Sequence, residues 1–201
     1  SGIRVLGAVD TKIYQNIVTN NAYVGIWAGF FDSTRSRFVN NTLYNNSTSG
    51  TQAQSRDLVD VHFKNNIIVG TRAAVYDWDA VNPSLQNIVY DRNLYYNHSM
   101  FGDYPVGTIT FPSWQVTYGL DVNSLNAVNP LFVNSGVNNF HLQSGSPALT
   151  LGRDVLDLNN NGSTVDIIPA GAYITGNETI GLLSGAATPP PPPPPSDTTP
   201  P

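Results

Sequence analysis

Phe38-Val-Asn-Asn-Thr-Leu-Tyr-Asn-Asn46 and Phe63-Lys-Asn-Asn-Ile-Ile-Val-Gly70 carry one pattern twice. Ile13-Tyr-Gln-Asn16-Ile-Val repeats it before them, and Tyr90-Asp-Arg-Asn93-Leu-Tyr after them. The aligned anchors Asn16, Asn41, Asn66 and Asn93 lie 25, 25 and 27 residues apart. Each anchor is flanked by short β-prone stretches, with further Asn or Gly closing the second. The unit reads as short strand, Asn corner, short strand, loop, strand.

A period of about 25 residues with three short strands per turn predicts an all-β fold, a right-handed parallel β-helix. Successive coils stack at the interstrand spacing of about 4.8 Å, which sets equivalent residues above one another. An Asn at a tight corner tolerates left-handed backbone and can hydrogen-bond to the Asn of the next coil. Ile17, Leu43, Ile67 and Leu94, following the anchors, are expected to stack inward. A β-sandwich of hairpins would need no corner Asn at constant period.

Composition agrees. The 201 residues hold 23 Asn, as many as all Lys, Arg, Asp and Glu together, with one Glu (Glu178) and two Lys (Lys12 and Lys64). Helical proteins lean on Ala, Glu, Lys, Leu and Gln, so a helix bundle is excluded. A net charge of -5 argues against nucleic acid as a partner, since no basic stripe neutralises phosphates. With no Cys there are no disulfides, thiolate metal sites or Cys nucleophiles. No apolar run reaches the length of a membrane span.

Three regions are expected. Residues 1–107 form β-helix coils, and Ser1-Gly2-Ile3-Arg4-Val5 reads as sequence from inside a longer domain. Residues 108–187 form the last coil, a surface loop and a C-terminal cap. Residues 188–201, with Pro189 to Pro195, form a polyproline spacer toward a further module.

The coil motifs, with Gly25-Ile26-Trp27, resemble right-handed β-helix proteins of the polysaccharide-lyase type. Asn129-Pro-Leu-Phe-Val133 and Asn139-Phe-His-Leu-Gln-Ser-Gly-Ser-Pro-Ala-Leu149 look like the closing segment of secreted bacterial members, with a cap beginning at Ser146-Pro147-Ala148. Asp157-Leu-Asn-Asn-Asn-Gly162 to Asp166, then Gly171-Ala172-Tyr173, is similar to their final motif. Ile174 stands where a Glu is common, and no Arg lies between Gly162 and Asp166. The resemblance implies a secreted or cell-surface protein acting on an acidic polysaccharide, with a catalytic centre in coils upstream of Ser1.

Four groups of residues could carry chemistry. Asp157, Asn159 and Asn161, with Gly at the sixth position, match the first half of a Ca²⁺ loop. Position twelve is Ile168, so Asp166 would supply the carboxylate; the alternative is a cap turn held by Asx hydrogen bonds. On an expected cleft strand, Asp77 and Asp79 share one face about 7 Å apart, with Trp78 on the other. Trp27 and Trp78 would stack on sugar rings if exposed and fill the core if not. Arg56 with Asp57 and Asp60 is the best catalytic cluster; its alternative is a loop salt bridge. His62, His98 and His141 lack metal-ligand spacing.

The expected function is β-elimination on a uronic-acid polymer. There Ca²⁺ or Arg would pair with the uronate and a basic side chain would take the proton. A non-catalytic glycan-binding or surface-adhesion module is the alternative.

Overall fold

The 25-residue period is a stacking distance: each repeat adds one strand to each of three parallel sheets. The computed structural model describes residues 1–29, 34–54, 58–77, 88–103, 107–176, 178 and 180. The first sheet stacks Ile3–Val5, Val24–Gly29, Ser49–Gln54, Ala73–Asp77 and Met100–Asp103, closed by antiparallel Gly107–Ile109. The second stacks Lys12–Tyr14, Arg37–Val39, His62–Lys64 and Val89–Asp91. The third stacks Ile17–Thr19, Thr42–Tyr44, Ile67–Val69, Leu94–Tyr96 and Leu125–Asn126. From Lys12 through Arg37 and His62 to Val89 the register climbs three turns. The chain is a parallel β-solenoid with one short α-helix among the described residues.

Each turn bends at left-handed residues. Asp10, Arg35 and Asp60 occupy one corner, and Gln15, Asn40, Asn65 and Arg92 the next. Asn20, Asn45, Gly70 and Asn97 occupy the third, with φ between 51° and 69°. Such backbone costs an L-residue about 1 kcal/mol or more, least for Asn and Asp, which explains much of the composition. The left-handed residue is therefore the one before each anchor, and the anchor itself does different work.

Asn16, Asn41, Asn66 and Asn93 form a continuous ladder. The backbone N–H and Nδ2 of each donate to Oδ1 of the next at 2.9–3.1 Å. Nδ2 of Asn41, Asn66 and Asn93 also donates to the carbonyls of Ile13, Phe38 and Phe63. The ladder ends on a different residue. Nδ2 of Asn93 donates to Oδ1 of Asp121, and its N–H to Oγ of Ser124. Asp121 is fully buried and also accepts from the Tyr95 hydroxyl, the Ser124 hydroxyl and Trp114 Nε1. Burial raises its pKa, the four donors pull it back, and the balance lies at about 6.

Because the ladder Asn points inward, the residue after it points outward. The third-sheet interior column is thus Val18, Leu43, Ile68 and Tyr95. Leu43 is inward as expected; Ile67 and Leu94 lie on the outer face, and Ile17 shares their column. Beside the interior column, Phe38, Phe63 and Tyr90 stack with centroids 4.8 and 4.7 Å apart. Helix Phe111–Tyr118 closes this stack from above. Its N-cap Thr110 accepts from the Ser113 N–H, and Trp114 meets Tyr90 edge-on at 5.6 Å.

The chain beyond the helix runs back along the outside as a strap. Asn40 Nδ2 donates to the carbonyls of Pro169 and Gly171, and Asn65 Nδ2 donates to the Arg153 carbonyl and to Oδ1 of Asn40. Ala148, Leu151 and Ala170 cover Ile67 and Leu94. Gly171 passes so close, at φ 89°, that a Cβ would stand 2.7 Å from Ile67 Cδ1. Ser146-Pro147-Ala148 lies within this strap, and the helix seals the end of the core.

Asn66→Ala removes a buried donor and acceptor and leaves neighbours unsatisfied on both sides, a loss of about 3–5 kcal/mol. Asn16→Ala, at the ladder's other end, costs about 1 kcal/mol; chemical denaturation compares the two. For Asp121, the folded-state pKa lies above the ordinary 3.8. Its contribution is therefore full below that value and is lost as pH rises through about 6. The gap is worth roughly 3 kcal/mol. Subtracting the pH profile of Asp121→Asn from that of the wild type isolates this slope, and His62 cancels in the difference.

Candidate functional site

On the first sheet, alternation sends Ile26, Ala28 and Val5 into the core and leaves Arg4 and Trp27 on the outer face. Tyr76 continues that column through Gln52. The strap lies against the other two sheets, so this face carries its own chemistry. The Arg4 guanidinium sits 4.0 Å over the Trp27 ring, and Tyr23 meets that ring edge-on at 5.9 Å. Trp27 is consequently only 9% exposed, while Tyr23 is 43% exposed. The aromatic surface offered to a sugar comes from Tyr23 and Tyr76, which line a shallow pocket of about 190 Å³ with Thr48, Arg72 and Met100.

Trp27 was legible in sequence as an aromatic of the cleft strand; Arg4, Tyr23, Arg72 and Tyr76 were not singled out. The signal for Arg4 was available, since Arg4 and Trp27 are register partners one turn apart. Asp77 is placed by backbone register opposite Asp103 on the next strand. The same register sets Asp77 in the column of Ala53 and Ala28 rather than in that of Trp27 and Tyr76. Trp78 and Asp79 lie outside the described residues.

Of the expected catalytic cluster, Arg56 and Asp57 lie outside the described residues. Asp60 sits at a corner on the second sheet and is held by residues that sequence spacing did not bring to it. Arg37 donates to Asp60 Oδ2 at 2.6 Å and to its backbone carbonyl, and His62 Nε2 is 2.8 Å from Oδ1. The Arg37 hydrogen bond lowers the Asp60 pKa against a smaller effect of burial. Burial first, then the cations Arg37 and Lys64, lowers that of His62, with Asp60 opposing. The result is an imidazole whose charged form is disfavoured, oriented by a carboxylate and partly shielded on the solenoid's flank.

Asp157, Asn159, Asn161 and Asp166 do converge, in a loop organised by its own hydrogen bonds. Asp157 Oδ1 accepts the N–H groups of Asn161 and Gly162, and Asn161 Oδ1 that of Ser163. Asn161 Nδ2 donates to Asp166 Oδ2 at 2.6 Å, which lowers the Asp166 pKa. Buried Asp154 gathers the N–H groups of Leu156, Leu158 and Asn159 and anchors the loop's start. Ca²⁺ takes oxygen ligands, so a cation here would need the Asn159 and Asn161 amides turned over to present Oδ1 to it. Among the described residues no three His, Asp or Glu side chains form a metal-holding group.

Residues 1–98 match the family model described as right handed beta helix region. No curated protein matches the chain, and no solved structure does. The family description fits the parallel sheets and their turn length, and domains of this kind are commonly carbohydrate-active.

Replacing Asp60 by Asn removes the charge that favours the His62 imidazolium, so the His62 pKa falls further below 6.5. Titration of its ring protons by NMR checks the direction; a rise would mean that Asp60 does not face the ring in solution.

Proposed function

We propose that this β-helix domain binds an acidic, uronic-acid-containing polysaccharide along the outer face of the first sheet. The observation that carries the reading is the interleaving of guanidinium and aromatic groups there: Arg4 over Trp27 beside Tyr23, and Arg72 with Tyr23 and Tyr76. A guanidinium matches a carboxylate in shape and charge, and an aromatic plane suits the C–H face of a sugar ring. Adjacent strands rise by about 4.8 Å, close to the advance per sugar of an extended chain, so successive rings can meet successive strands. Such polymers belong outside the cell, which makes a secreted or cell-surface location part of this reading.

A second reading is polysaccharide lyase activity, which the likeness of the coil motifs to β-helix proteins of the polysaccharide-lyase type suggests and the exposed Arg72 beside Tyr23 and Tyr76 supports. In such a reaction Ca²⁺ or a guanidinium such as that of Arg72 would pair with the uronate carboxylate. That would acidify the proton beside it for removal by a basic side chain. The loop of Asp157, Asn159, Asn161 and Asp166 would be a separate, structural Ca²⁺ ligand set.

Isothermal titration of the 201-residue chain with oligogalacturonate, oligoalginate and chondroitin fragments tests the binding reading. Arg72 is exposed, and its replacement by Ala should weaken the interaction about tenfold, or ~1.4 kcal/mol, without altering the melting temperature. Retention of none of the three polymers would overturn it. Accumulation of unsaturated uronate product, dependent on Ca²⁺, would establish the lyase reading. Binding without product, with or without Ca²⁺, would leave a binding module.

A further inference from the structure

We propose that the outer face of the third sheet carries a second binding site, for an uncharged sugar ring of a neutral glycan. Tyr44, Val69 and Tyr96 stand in one outward column on successive strands. The strap crosses in front of them at Asn129 to Phe132 and returns at Gln143, leaving a pocket of about 250 Å³. That is the scale of one pyranose rather than of a larger ligand.

The walls are fixed before any ligand arrives. Tyr44 is braced by Phe140 at 5.1 Å and by Phe132 at 6.3 Å. Gln143 Nε2 donates to the Phe132 carbonyl, and Asn129 Oδ1 accepts the Leu131 N–H. These bonds leave Gln143 Oε1 as an acceptor and Asn129 Nδ2 as a donor, each on an amide already held in place. The Tyr44 and Tyr96 hydroxyls add two groups that can both donate and accept, and neither has a hydrogen-bond partner among the described residues. Aromatic planes with amides around them can match the C–H face and the hydroxyl rim of a sugar.

The charge of the ligand follows from the lining, which contains no Lys, Arg, His, Asp or Glu. A carboxylated sugar would lose solvation there without gaining a counter-charge. The site therefore selects a ligand different from the one assigned to the first sheet, and it stands whether or not that assignment does. The chain's own Pro189 to Pro195 is the other ligand that a tyrosine-lined groove could take. A proline run has no N–H to give Gln143 Oε1, whereas a sugar hydroxyl does, which favours the sugar.

The experiment titrates the full chain with cello-, manno-, xylo- and galacto-oligosaccharides, following the Asn and Gln side-chain amides by NMR. At least one neutral oligosaccharide should bind saturably and shift the Gln143 and Asn129 amides. Tyr96→Ala should weaken that binding about tenfold, as removing one stacking ring does, while Arg72→Ala leaves it unchanged. Gln143→Ala, at an exposed position, provides the same readout should Tyr96→Ala perturb the fold. Absence of saturable binding by all four series would overturn the proposal. So would binding insensitive to both pocket variants, or shifts of these amides produced only by a peptide of residues 188–201.

Discussion

The asparagine amide, held close to the backbone, can donate to the coil above, accept from the coil below and still give a proton to a carbonyl at the corner. Asn41 and Asn66 do all of this while buried. Because each rung satisfies the backbone of its neighbour, the position of one corner fixes the next at the sheet spacing. The short strands, the aromatic stack of Phe38, Phe63 and Tyr90, and the direction of every outward column follow from that alignment. A three-residue strand such as Thr42–Tyr44 has little preference of its own; it is ordered because both of its corners are.

The period was legible because the ladder demands one residue type at a fixed interval. The division of labour inside each corner was less so. Asn40 and Asn41 look equivalent in sequence, yet the first takes the left-handed bend and reaches outward to the strap, while the second turns inward. That difference reverses the parity of the following strand, which puts Val18 and Ile68 in the core and Ile67 outside under Ala148. A strap that returns across more than a hundred residues, from Gly171 to Asn65, leaves no local pattern to read.

The candidate site shows the same limit. Trp27 could be placed on the right strand from alternation, but its cover by Arg4 depends on the adjacent turn. Asp60 could be picked out as a loop carboxylate, while its partner Arg37 comes from the turn before it and His62 from the strand it begins. In the loop from Asp157 to Asp166 the side-chain amides are engaged with Asp166 and the backbone, which spacing alone does not reveal. In a solenoid, chemistry is assembled across turns, so residues 23 to 27 apart are neighbours and residues two apart are on the same face. A sequence of this kind is best read in columns.

The ladder also has a direction. Each Asn-to-Asn bond runs from an Nδ2 or a backbone N–H to the Oδ1 of the next coil, so the series behaves as a polar polymer with a donating front. At that front stands Asp121, which receives four side-chain donors and as a carboxylate has none to offer. A further coil of the same design, or a second molecule approaching end on, would find no amide with which to continue the series. The substitution of one atom, oxygen for the nitrogen of an asparagine, thus acts as chain termination in three dimensions and gives the solenoid a defined length at that end.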